Sequence, residues 1–104
     1  MTVLYHPAFA GDIRRFATQY AAISPKLNEK FRRDVDAALV AIVANPGNAG
    51  HFVNTGSVIV RDIRRRNLET FPFFVLYGVV NDRLIFGSLI PSASDPQSWL
   101  ARFE

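Results

Sequence analysis

The chain has no cysteine among its 104 residues, which excludes disulfides, thiolate metal sites and a cysteine nucleophile and fits a reducing compartment. Lysine is scarce: ten of the twelve cationic residues are arginine, and only Lys26 and Lys30 are lysine. Histidine occurs twice, at His6 and His51, with no second ligand at metal-binding spacing, so neither a metal nor another cofactor is expected. There is no Gly-rich phosphate loop and no Ser-His-Asp pattern, which leaves small-molecule catalysis without its usual machinery. No apolar run approaches the roughly 20 residues that span a bilayer. The start Met1-Thr2-Val3-Leu4-Tyr5-His6-Pro7 also lacks the charged flank of a secretory signal. A cytoplasmic protein without a membrane partner is the expectation.

The residues present are those of a compact fold. With 49% hydrophobic residues, 1–104 can bury one core as a single domain. The net charge is only +3, yet Arg61, Arg64, Arg65, Arg66 and Arg83 fall in one 23-residue stretch, opposed by Asp62, Glu69 and Asp82. A guanidinium presents a planar fork of donors that suits phosphate or carboxylate, so this concentration implies an acidic partner. The ordinary alternative is a solvated strand face, paired with Asp62 and Glu69.

Periodicity orders the elements. Thr2 to Tyr5 is short, β-prone and closed by His6-Pro7, which predicts a strand. From about Ala8, Phe9, Ile13, Phe16 and Tyr20 recur at helical spacing, with Asp12, Arg14 and Arg15 on what reads as solvated surface, to an end near Ala22. Ser24-Pro25 opens a second helix, the serine as cap and the proline in the first turn. Leu27, Phe31, Val35, Leu39 and Ile42 carry it to Asn45, where Pro46-Gly47 stops it. So short a link predicts an antiparallel helical hairpin.

Residues 46–57 read as a loop, followed by strands at Val58 to Arg65, Pro72 to Val80 and Arg83 to Leu89. The middle strand is apolar on both faces, hence central and covered twice, and Asn81-Asp82 is a two-residue hairpin link. Asp95-Pro96 starts a short helix to Phe103, on which Trp99 and Phe103 seal it to the sheet. The fold class is α+β: an N-terminal strand, a helical hairpin on a largely antiparallel four-stranded sheet, and a short C-terminal helix.

The run Arg66-Asn67-Leu68-Glu69-Thr70-Phe71-Pro72-Phe73-Phe74-Val75-Leu76-Tyr77 resembles the R-x-x-x-x-F-P-[YF]-x-[VI]-x-Y core of the RelE/ParE toxins. Pro7-Ala8 with Asp12-Ile13, Ile42-x-x-Asn45-Pro46-Gly47, and Asp95-Pro96-x-x-Trp99-x-x-Arg102 match in the same order, so the resemblance spans nearly the whole chain. It departs at Pro91 to Ser94, where family members with a full C-terminal signature carry H-x-R-R before the Asp-Pro.

The resemblance implies the toxin of a type II toxin–antitoxin system. RelE-like members cleave mRNA on the ribosome through its own 2′-hydroxyl, which needs a base, an acid and cations around the phosphate. Arg61, Arg64, Arg65 and Arg66 would supply cations, but His6 beside the first strand and His51 in the loop make poor proton-transfer candidates, and Tyr77 shares a face with Phe73, Val75 and Val79 as a core aromatic. The favoured expectation is therefore a ParE-like toxin that inhibits DNA gyrase by binding and performs no covalent chemistry. The alternatives are a ribosome-dependent endoribonuclease and a detoxified relative that only binds its antitoxin. All three imply an acidic, partly disordered antitoxin that folds on binding, with operator DNA contacted only through that antitoxin. Arg61, Arg64, Arg65, Arg66 and Arg83 are the expected target-binding or antitoxin-binding residues.

Overall fold

In the computed structural model, residues 1–53 and 62–103 are described. The elements are β1 (Thr2–Tyr5), α1 (Phe9–Ile23), α2 (Pro25–Ala44), β2 (His51–Phe52), β3 (Ile63–Asn67), β4 (Phe73–Val80), β5 (Arg83–Pro91) and a 3-10 helix (Pro96–Phe103). They form an α+β fold whose sheet has the order β1-β5-β4-β3-β2. β1 runs parallel to β5, and every other pair is antiparallel. Two readings change. The predicted loop at 46–57 contains a two-residue strand, β2, which adds a fifth strand at the sheet's edge. The strand read as Val58 to Arg65 is β3, ending at Asn67, and the part of that reading up to Arg61 lies outside the described residues.

β4 occupies the sheet's centre because its residues are apolar on both alternating faces. Phe73, Val75 and Tyr77 point toward the helices, whereas Phe74 and Leu76 belong to a second core. On the helical side, Phe31 of α2 meets Phe71 and Phe73 at ring separations of 5.4 Å, and Tyr20 of α1 meets Phe31 at 5.1 Å and Phe71 at 4.9 Å. Tilted and edge-on pairs of this kind contribute about 0.5–1.5 kcal/mol each beyond area burial. On the other side, Trp99, Leu100 and Phe103 of the 3-10 helix pack over Ile63, Phe74, Leu76 and Ile90, as the spacing of the two aromatics predicts.

Helix starts differ in detail from expectation. Ser24 has the extended backbone of a cap residue and Pro25 follows it in the first turn, but the serine hydroxyl makes no capping hydrogen bond. The larger correction concerns Asp12. It is only 3% exposed; its Oδ2 accepts from the Leu89 N–H at 3.1 Å and from Arg102 Nη1 at 2.6 Å. A carboxylate in the first turn of α1 thus ties that helix to β5 and to the C-terminal helix. The spacing of α1 hides this, because Asp12 sits beside the apolar stripe and its partners lie 77 and 90 residues away.

The β4–β5 hairpin closes through Asn81 and Asp82, both with left-handed backbone, φ 51° and 60°, as in a type I′ turn. Aspartate tolerates this region less well than glycine. Asp82→Gly is expected to raise stability by about 0.5 kcal/mol, read as a rise of a few degrees in thermal midpoint. A lower midpoint would mean that the aspartate side chain contributes more than its backbone strain costs.

Candidate functional site

The arginine-rich strand β3 sets two faces against each other. Its register pairs Arg64 with Tyr77 and Arg66 with Val75, which turns both arginines toward the helical side, while Arg65 pairs with Leu76 and lies on the opposite side. Successive residues of a strand point to opposite faces, so the two sets are separated by the backbone itself. Arg64 Nε donates to Asp62 Oδ1 at 2.9 Å, and its Nη1 donates to the Gly50 carbonyl at 3.4 Å. Arg66 Nη1 donates to the Ala49 carbonyl at 2.8 Å. The Arg65 guanidinium lies 3.8 Å from the Phe74 ring centroid and donates through Nη2 to Asn67 Oδ1 at 3.1 Å.

Tyr77 completes this arrangement. It is fully buried, and its hydroxyl donates to the Pro46 carbonyl at 2.8 Å rather than ending at a solvent rim. Three side chains from β3 and β4 therefore hold carbonyls of the segment that follows α2, at Pro46, Ala49 and Gly50. The segment can come this close because residue 50 is glycine: a Cβ there would sit 2.5 Å from the Arg65 carbonyl oxygen. Clamped in this way, residues 48–51 form one wall of a cleft of about 310 Å³, and Arg65, Arg66 and Asn67 form the other.

Burial pushes the Tyr77 phenol above its ordinary value; Arg64 opposes this, Asp62 reinforces it and Arg66 opposes it. Burial also raises Tyr20. Both phenols bind their proton more tightly folded than unfolded, so their contribution to stability is fully present below the ordinary phenol value of about 10 and is lost as pH rises above it. Tyr77→Phe is expected to cost about 1 kcal/mol at neutral pH, for the hydrogen bond to Pro46, and to flatten the alkaline loss of stability. A denaturation series from pH 8 to 11 checks both effects.

The other expected site residues are dispersed. Arg83 is exposed at the tip of the β4–β5 hairpin, with β4 between its strand and β3. Arg61 lies outside the described residues. His51 moves the other way: read as an isolated loop residue, it pairs with Arg65 across β2 and β3 and lines the cleft. Its place depends on a two-residue strand too short to carry a periodic signal. Asp34 had no assigned role, yet its Oδ2 accepts from the N–H groups of Thr70 at 3.0 Å and Phe71 at 2.8 Å. It thereby fixes the Phe71-Pro72 turn beneath the helices.

Among the described residues no group of three His, Asp or Glu side chains is placed to share a metal ion, and no described helix is long and apolar enough to cross a membrane. No family model matches the sequence, and no curated protein matches it. A solved structure does: a chain described as "Chromosomal ParDE TA system from P. aeruginosa" superposes with a TM-score of 0.68 at 23% identity, over 88% of this chain and 95% of that one. The two chains share a fold. Chemically, the arrangement is a rigid basic surface whose arginines are already partly engaged by protein carbonyls.

Proposed function

We propose that this chain is the toxin of a type II toxin–antitoxin pair and acts in the ParE manner, by binding DNA gyrase rather than by cutting a substrate. The observation that carries the reading is the likeness in fold to a chain of a ParDE system, joined to the Phe71-Pro72 to Tyr77 core. The site supports binding over cutting. Cleavage through a 2′-hydroxyl needs a base and an acid, and among the described residues lining the cleft there is one imidazole, His51, and no carboxylate to partner it. Arg64 and Arg66 are occupied in holding the Ala49 and Gly50 carbonyls, a role that shapes a surface.

The antitoxin in this reading is acidic and folds on binding. Apolar side chains stand ready for such a partner: Leu4 and Tyr5 on edge strand β1, and Ile23, Val40 and Val43 on the helices are exposed. The test is supercoiling by purified gyrase with the purified chain added. Inhibition that disappears when the product of the neighbouring gene is added is the expected result. Supercoiling left intact at a large molar excess of this chain overturns the gyrase assignment, and fragmented messages during growth arrest would move it to the endoribonuclease class.

A further inference from the structure

β1 is an edge of the sheet, with β5 as its one neighbour among the described residues. The N–H groups of Thr2 and His6 donate inward, to the Asp82 and Phe86 carbonyls at 3.3 and 2.8 Å. Backbone groups alternate in direction along a strand, so those of Val3 and Tyr5 point outward, two donors and two acceptors on a free edge. We propose that in the free chain, with no antitoxin bound, a second copy pairs with this edge: the two β1 strands lie antiparallel across a two-fold axis and join two sheets into one. The proposal goes beyond gyrase inhibition and does not depend on it.

Within Thr2–Tyr5 one antiparallel register uses both outward residues. Val3 faces the partner's Tyr5 and Tyr5 faces the partner's Val3, each pair exchanging two backbone hydrogen bonds, while Leu4 meets the partner's Leu4 on the axis. The side chains suit this pairing. Val3 packs against the core on the helical face, where the Tyr5 ring stacks on Phe86 at 5.2 Å and lies 6.1 Å from Phe9. Tyr5 is thus held in place yet 58% exposed, and a β-branched neighbour directly opposite is a favourable partner for an aromatic on a sheet. Leu4, 40% exposed, lies on the other face. Charge selects the occupant. Met1 to Tyr5 carries no charged side chain and so offers an acidic strand no cation. It also lacks the lysine, proline or bulge that commonly blunts an exposed edge. A neutral, apolar strand fits it, and its own copy is one. Pro7 has no N–H and ends the pairing. A contact of this length is well below the roughly 20–30 residues a side of a stable complex, so the dimer is weak, with a dissociation constant on the order of 100 µM.

The experiment is oxidative cross-linking of the full chain, which has no cysteine of its own to interfere. In the two-fold register Leu4 and its counterpart form a non-hydrogen-bonded pair with Cα atoms about 4.5 Å apart, within the span of a disulfide. Thr2 and its counterpart are offset along the strands by about 13 Å. Leu4→Cys under mild oxidation is therefore expected to give a disulfide-linked dimer as the main product, and Thr2→Cys very little. Sedimentation velocity from about 5 to 500 µM should show the unaltered chain passing from monomer to dimer. Leu4→Lys, which sets like charges face to face, should weaken the dimer about tenfold or more. Val40→Lys, at the exposed apolar face of α2, is the control and should leave it unchanged. The proposal falls if the unaltered chain stays monomeric throughout that range, if Thr2→Cys cross-links as readily as Leu4→Cys, or if Leu4→Lys dimerises like the parent. It falls equally if Val40→Lys removes the dimer, which would place the contact on the helices. Gyrase inhibition can persist through each of those failures, so the two conclusions are separable.

Discussion

Arg102→Met is expected to destabilise the protein by about 3 kcal/mol, a fall of roughly 15 °C in thermal midpoint for a chain of this size. Arg102 donates through Nη1 to Asp12 Oδ2 at 2.6 Å and to the Gly87 carbonyl at 2.9 Å, and through Nη2 to Asp12 Oδ1 at 3.3 Å. Its guanidinium also lies 4.9 Å from the Trp99 ring centroid. Removing it leaves a buried carboxylate with one N–H donor, from Leu89, and a distant Arg15 at 3.8 Å. Breaking one side of such a pair costs more than replacing both sides, because the remaining charge is left uncompensated. Asp12→Asn combined with Arg102→Met keeps an oxygen for Leu89 and removes the charge, so the double variant should be more stable than Arg102→Met alone. If Arg102→Met melts within a degree or two of the parent, the pair is an incidental surface contact and this account of the C-terminal helix is wrong.

Gly87→Ala is the second large effect, with an expected loss of about 2 kcal/mol from overpacking. The β4–β5 register shifts at this point, with Leu76 opposite Ser88 and Tyr77 opposite Phe86, so Gly87 is the extra residue of a bulge. A Cβ at Gly87 would lie 2.4 Å from the Phe103 ring, and one at Gly78 would lie 3.2 Å from it. Two glycines on adjacent strands thus make the seat that Phe103 fills, and Arg102 locks the helix beside it. Placing Gly87→Ala in a Phe103→Ala background should cost much less than it does alone, since the clashing ring is gone. Equal costs in the two backgrounds would show that the glycine is needed for the bulge and not for the ring.

The proposed function and the two stability predictions meet at the sheet. Its helical face carries Arg64, Arg66 and Tyr77, which hold the segment after α2, and its other face is covered by the C-terminal helix through Trp99, Leu100 and Phe103. A loss of gyrase binding in Arg102→Met would therefore be interpreted only after its stability has been measured, whereas His51→Ala tests the cleft without disturbing either core.

Local pattern was enough to read most of this architecture. The 3.6-residue apolar stripes of α1 and α2, the Pro46-Gly47 stop, the two-sided apolar run of β4 and the Asn81-Asp82 link each depend on neighbours within a few residues, and each appears in the structure where the pattern put it. The alternation that sends Arg64 and Arg66 one way and Arg65 the other was equally visible, because strand period is a property of the backbone. Three features were not. Asp12 looked solvated until β5 and the C-terminal helix brought Leu89 and Arg102 to it. His51 became part of a basic cleft only through a two-residue strand pairing with β3. Gly50 and Gly87 are required by the approach of Arg65 and Phe103 from elsewhere in the chain. In each case the deciding partner is distant in sequence, and no periodicity records which distant groups the packing of helices and sheet will bring within a hydrogen bond.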